Sequence, residues 1–367
     1  MKYLKLIILL LIFWNLPRYA LTHVNALTGT ILSYGIFFLI IGYYLFNKKE
    51  KPIVSFIVLG LLYFLISGFV ETQNTENYII TFVKYFIFII MGVKLVKDTK
   101  DTEIYILLLL GSLSIMYELF FVTNIGGRFS GFYLNPNSAG FVCILGYCLS
   151  LSIDNNKLQI LGQILFSIAG FITFSRTFLL VWALINIVSL TISYKNAYKI
   201  VIGVVLFSFF LSFGDKFDFN TRRLEAFSTI LDGKISDEIG EDSRTQTWAI
   251  YYERIFDSPI FGNGYLSFSG KTVGTGEAAY YYAGVHNTPL LMIGEAGVFT
   301  FLCFIWIYGG FVAKGIKLFK DDPLIFFVSF TLFMFLLTSH NFFDNYIILF
   351  FSVWLYFQID KYKIKVN

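Results

Sequence analysis

Long apolar runs, nearly free of charge, recur along the whole chain and are separated by short polar breaks rich in lysine, asparagine and glycine. Runs of this length without strict alternation predict membrane-spanning helices rather than strands. Twelve spans are expected, at 3–21, 27–46, 53–70, 78–97, 104–122, 137–153, 158–174, 177–194, 200–214, 288–312, 324–339 and 346–359. Several fall short of the roughly 20 residues that cross a bilayer core and must borrow from their flanks. From Leu158 to Tyr194 the only charged residue among 37 is Arg176. That run is too long for one helix and divides into two, turning at Ser175-Arg176-Thr177. The first span has the look of a signal sequence, with VNA at 24–26 as a cleavage site. It is read as uncleaved because it resembles the other spans. No internal repeat is evident, and no matched pair of Gly/Pro-broken spans suggests an inverted-repeat transporter.

Composition agrees with a membrane protein. Hydrophobic residues make up 57% of the 367 and charged ones 14%, and the mean hydropathy is +0.70. A soluble chain of this length needs far more polar surface. The expected fold class is an all-α polytopic membrane protein of about 12 transmembrane helices. Residues 1–214 hold nine of them, 215–287 form one large extracytoplasmic loop containing helices, and 288–367 hold the last three. With the N-terminus inside, the cytoplasmic segments carry 17 lysines and no arginine, as the positive-inside rule requires. Both termini are then cytoplasmic and all seven arginines face outward. Lysine suffices as a topogenic point charge, whereas the arginine fork suits phosphate and carboxylate oxygens. A small count in a lysine-biased composition gives the same pattern by chance. Cys143, Cys148 and Cys303 lie in apolar runs and read as buried small hydrophobes rather than disulfides or zinc ligands.

Candidate chemistry gathers on the outward side. SRTQTWAIYYERIFD (243–257) predicts a helix with Asp242 or Ser243 as N-cap. Trp248, Tyr251, Tyr252, Ile255 and Phe256 recur at helical spacing, as an interfacial helix would have them. Arg244 falls in the first turn, where free N–H groups attract anions; a solvated loop arginine is the plainer alternative. In VHNTPLLMIGEAG, His286 precedes a span and Glu295 lies two to three turns into it. His286 has an ordinary pKa near neutrality and can act as a general base; a lone histidine also serves as a simple hydrogen-bonding group. Glu295 at membrane depth needs a partner, expected to be an outward arginine, or else Glu295 orients His286. GGRFSGFYLNPNSAG offers Arg128, Asn135 and Asn137, and HNFFDN offers His340 and Asp344, though glycine and asparagine suit loops for structural reasons alone. His23 reads as structural. The sequence carries no phosphate loop, Rossmann fingerprint or HExxH motif, so a substrate acted on outside must bring its own leaving group.

The ordered set GRFSGFYLNPNSAG, TFSRT, SRTQTW…PIFGNG and VHNTPLLMIGEAG resembles the O-antigen ligase/polymerase superfamily of bacterial envelopes. The resemblance covers about residues 126–300. It implies a GT-C-like helical fold and a lipid-carrier glycosyltransferase acting at the outer face of the cytoplasmic membrane. The implied donor and acceptor are undecaprenyl-diphosphate-linked oligosaccharides, with membrane lipid around them and no nucleic acid partner. No cofactor and no metal are implied. His286 corresponds to the histidine that activates the acceptor hydroxyl, and Arg176 and Arg244 to the arginines that clasp the diphosphate. Arg128 joins them less directly, and Glu295, Asn287 and Asn137 are supporting residues. The loops favour an O-antigen or capsular polysaccharide polymerase; a ligase to lipid A core is the alternative, and an exporter or flippase a third. A chain-length regulator is a further expected partner.

Overall fold

The computed structural model describes residues 1–70, 74–122, 127–212, 243–273 and 280–366. Among the described residues each of the twelve expected spans falls on helix, the first of them on two. In chain order the helices are α1 (Lys2–Phe13), α2 (Leu16–His23), α3 (Ala26–Leu45), α4 (Val54–Val70), α5 (Thr75–Lys97), α6 (Asp101–Phe121) and α7 (Pro136–Ser150). They continue as α8 (Asn156–Ile172), α9 (Arg176–Ser189), α10 (Ala197–Ser212), α11 (Ser243–Asp257), α12 (Thr288–Lys317), α13 (Pro323–Leu336) and α14 (Tyr346–Val366). Between α11 and α12, β1 (Gly270–Val273) and β2 (Tyr280–Ala283) pair antiparallel, Gly270 opposite Ala283. This pairing was not expected; its KTV and YYYA runs have β-branched and tyrosine side chains that favour strands.

Among the described residues, α3, α5, α6 and α12 are long and apolar enough to cross a membrane. α1 and α2 qualify together as a pair bent by 59°. The expected first span is thus broken. Pro17 at the start of α2 cannot continue the ladder of α1, and Asn15 takes the left-handed conformation at φ 50°, which asparagine tolerates. α4, α8, α9 and α13 are apolar but run to between 14 and 17 residues. By length and composition the chain is an integral membrane protein.

Two compact units are present. The first joins Met1–Ile36 with Thr99–Gly240, and the second joins Phe37–Asp98 with Glu241–Asn367. In the first, α7 packs on α6, α8 and α9. In the second, α12 packs on α4, α13 and α14, and α5 on α4 and α14. One start signal recurs: an Asn or Asp cap followed by proline. Asn135 before Pro136, Asn287 before Pro289 and Asp322 before Pro323 each accept a backbone N–H of the helix they open. Cys143 and Cys148 are buried free thiols and Cys303 is partly buried.

The element that organises the second unit is a break in α12. Gly297 sits at φ 73°, ψ −176°, a region open almost only to glycine. The break leaves backbone groups of both half-helices without helical partners. The segment after α11, PIFGNG at 259–264, supplies replacements. The N–H groups of Asn263 and Gly264 donate to the carbonyls of Gly294 (2.8 Å) and Glu295 (3.1 Å), and Val298 donates to the Pro259 carbonyl (2.9 Å). The Asn263 amide adds a bond to the Gly294 carbonyl at 3.0 Å. A Cβ at position 297 would run into the Ile260 carbonyl. Gly297→Ala should therefore cost at least about 2 kcal/mol, read as a lowered melting temperature of detergent-purified protein. An unchanged melting temperature would show that the break tolerates a side chain.

Candidate active site

The residues singled out from the sequence fall into two groups, one in each unit. In the second unit, α11 presents Trp248, Tyr251 and Ile255 to Phe268, Val285 and Leu291. The expected apolar stripe is thus half right: Tyr252 and Phe256 are exposed. Asp242 lies outside the described residues. Arg244 occupies the first turn of α11, and its side chain is not among those described.

The start of α12 is held from three sides. Trp248 Nε1 donates to the Val285 carbonyl at 2.8 Å. Asn287 caps the helix by accepting the Leu290 N–H at 3.0 Å. The buried Thr288 hydroxyl donates to the Ser339 carbonyl at 2.8 Å. His286 sits between the first two of these bonds, exposed, on a left-handed backbone at φ 44°. Such a conformation is strained for a non-glycine residue and persists only where the surroundings impose it.

Facing it is His340, with Nδ1 to Nδ1 at 3.0 Å and ring centroids 4.4 Å apart. His340 belongs to the HNFFDN loop between α13 and α14, and the loop is anchored by its own phenylalanines. Phe342 and Phe343 are buried, and Phe343 stacks on Tyr63 of α4 with centroids 3.9 Å apart. Phe342 lies edge-on to Phe304 and Tyr308 of α12. Asp344 accepts from Lys84 of α5 at 3.2 Å. Burial, and then the His286 ring beside it, push the His340 pKa down to about 4, so the ring is neutral at physiological pH.

Glu295 is fully buried. Its partners among the described residues are the Tyr63 hydroxyl, the Phe268 N–H at 3.0 Å and the Ser269 hydroxyl at 3.3 Å. Among the described residues, neutral donors stand where a partner arginine or His286 was expected, with the Leu266 backbone adding to the three. They satisfy a carboxyl that would be costly to bury bare. Phe343, stacked on Tyr63, links this junction to the His340 loop. Arg254 donates to the Ser267 carbonyl at 3.0 Å and lies over the Phe268 ring, which makes it part of the same packing.

In the first unit, the turn between α8 and α9 spans Thr173–Ser175. Arg176 opens α9 rather than forming the turn's centre, and it is exposed. Ser175 caps α9, accepting the Phe178 N–H at 3.4 Å, and its hydroxyl donates to Asn137 Oδ1 at 3.2 Å. Arg128 donates to the same Asn137 oxygen at 3.5 Å and to the Thr173 carbonyl at 3.4 Å. The N-terminal turns of α7 and α9 touch closely here, because a Cβ at Gly140 would meet those of Ser175 and Phe178 at 3.0 Å. Glu118 accepts the N–H groups of Ser130 and Gly131 at 2.7 and 2.6 Å and so fixes the loop that carries Arg128. Arg128, Asn137 and the Arg176 turn thus converge where two helix N-termini favour negative charge. Among the described residues, no three or more His, Cys, Asp or Glu side chains converge as metal ligands would.

His340 is the residue that sequence reasoning undervalued. Its signal was present as a second His-Asn pair, His340-Asn341 against His286-Asn287. Residues 161–305 match a family model described as O-antigen ligase. That stretch contains Arg176, Arg244, His286, Asn287 and Glu295, and leaves out Arg128, Asn137 and His340. No curated protein matches the chain.

A histidine held neutral by the fold links stability to pH. Its folded pKa of about 4 lies below its ordinary 6.5. The contribution is therefore complete above about pH 6.5 and is lost as pH falls toward about 4. The melting temperature of the purified protein should drop over that window. His340→Asn should make the drop shallower, and an identical pH dependence in that variant would contradict the assignment.

Proposed function

We propose, on the premise that the chain is a member of the O-antigen ligase/polymerase superfamily, as the match over residues 161–305 supports, that it is a polysaccharide polymerase. Superfamily membership supports a glycosyltransferase-like enzyme with lipid-linked polysaccharide substrates. The finer reading is an O-antigen or capsular polymerase that moves a glycan from undecaprenyl diphosphate onto a lipid-linked repeat unit. It would work at the outer face of the bacterial cytoplasmic membrane, with about twelve spans, both termini cytoplasmic and residues 215–287 extracytoplasmic. The observation that carries this reading is the setting of His286. It is exposed, held on a left-handed backbone, and flanked by the Trp248 bond and the Asn287 cap.

In the proposed reaction the acceptor hydroxyl attacks the anomeric carbon and His286 takes its proton. The bond from that carbon to the diphosphate oxygen breaks, and the electron pair leaves with the diphosphate. Attack from the back side inverts the anomeric configuration. Arg176, Arg244 and Arg128 bind the diphosphate and stabilise the charge that grows on it, without a divalent metal. Glu295, Asn287 and Asn137 support these groups. A chain-length regulator is a proposed partner. The family description, O-antigen ligase, favours a second reading in which the acceptor is a lipid A core or another terminal acceptor.

Arg176→Lys keeps the charge but loses the two-pronged fork, so chain length in cells should collapse, with transfer reduced about 100-fold or more. Normal chains at normal protein level would sink the arginine assignment. The two readings separate in purified protein given lipid-linked repeat units alone. A product ladder identifies a polymerase, and product only after a core acceptor is added identifies a ligase.

A further inference from the structure

The two histidines pose a question that the proposed base does not answer by itself: which ring donates across the 3.0 Å contact between their Nδ1 atoms. A hydrogen bond between two imidazole nitrogens needs one N–H and one lone pair. If His340 donated, His286 would carry its own proton on Nε2 and have no lone pair left for an acceptor hydroxyl. If His286 donates, its Nε2 carries a lone pair. We infer that His340 is the positioning residue for His286, accepting its Nδ1–H and so leaving Nε2 as the base that meets the acceptor sugar. This inference rests on the reading of His286 as the base.

The geometry supports that direction of donation. His340 is the more buried ring, on a loop pinned by Phe342 and Phe343, while His286 is exposed. Burial, and then the neighbouring ring, disfavour the charged form of His340. After proton uptake His286 carries N–H on both nitrogens, and only an acceptor can then stand opposite its Nδ1. The same bond therefore serves the neutral base and the imidazolium that forms, with no rearrangement between them. Two charged groups of the described residues in this unit have partners of their own. Asp344 of the same loop pairs with Lys84 of α5, and Glu295 of α12 accepts from Tyr63 of α4. Arg244 lies on α11, one turn before the Trp248 that holds Val285. A neutral acceptor differs from the carboxylate that more commonly orients a catalytic histidine. It fixes the tautomer without raising the basicity of the ring as a negative charge would.

The test uses the full chain in lipid vesicles with undecaprenyl-diphosphate-linked repeat units, following transfer rate against pH. Three substitutions of His340 separate positioning from packing. Asn and Asp both place an oxygen near the position of Nδ1 and differ by one charge, whereas Leu places none. His340→Asn should keep kcat within about threefold, and His340→Leu should lower kcat about 10–100-fold with KM for the donor unchanged. His340→Asp should shift the acidic limb of the profile upward by about one pH unit, because a carboxylate raises the pKa of the ring it faces. Should His340→Leu fail to fold, the Asn and Asp pair decides. An inactive His340→Asn with a wild-type melting temperature, or an unmoved acidic limb in a folded His340→Asp, overturns the inference. So does wild-type kcat in a folded His340→Leu. His286→Ala separates the two levels. If it transfers at the wild-type rate, the base reading itself fails. If it is inactive while every His340 variant behaves as wild type, only the role of His340 fails.

Discussion

An interrupted helix must find partners for the backbone groups it stops pairing, and in this protein that need organises the second unit. The break in α12 at Gly297 is closed by the 259–264 segment, which donates to two carbonyls and accepts one N–H across the gap. Because those bonds are to backbone, they fix the register of the segment against the helix. Phe268 and Ser269, a few residues further along, are then at hand to hydrogen-bond Glu295. Tyr63 completes that carboxyl's partners and in turn carries Phe343 on its ring face.

From this junction a chain of contacts leads back to the exposed end of the same helix. Phe342 and Phe343 seat the HNFFDN loop, the Ser339 carbonyl meets Thr288, and His340 meets His286. His286 is thereby constrained from its own helix through Asn287, from α11 through Trp248, and from the 339–345 loop through His340. The proposed base gains from such constraint, since a group already in place loses little entropy when the substrate arrives. The first unit applies similar logic to cations. There Asn137 joins Arg128 to the Ser175 cap, beside paired helix N-termini, so the positive field comes from backbone and side chains together.

Much of the fold was legible because hydropathy acts over whole helices. Among the described residues each expected span falls on helix, the first of them on a bent pair. The bend at Asn15, the strand pair and the break at Gly297 were less visible, because each depends on partners far away in sequence. Arg176 shows the limit in miniature: its placement near a turn was readable, but the turn ends one residue earlier, at the Ser175 cap. His286 was legible as a residue type in a recurring setting. Its partner was not, since 54 residues separate it from His340 and only the packing of Phe342 and Phe343 brings them together. For Glu295 the hydropathy pattern called for an opposite charge, and among the described residues the fold supplies a phenol, a hydroxyl and backbone N–H groups.

The central claim is that glycosidic bond formation at His286 is coupled to release of a lipid diphosphate. The most direct measurement follows both products in one reaction, counting bonds formed and undecaprenyl diphosphate released by purified protein acting on lipid-linked oligosaccharide. One lipid diphosphate per bond is expected in the wild type, and loss of both products together in His286→Ala at equal amounts of folded protein. Bond formation without lipid diphosphate release, or wild-type release from His286→Ala, would contradict it.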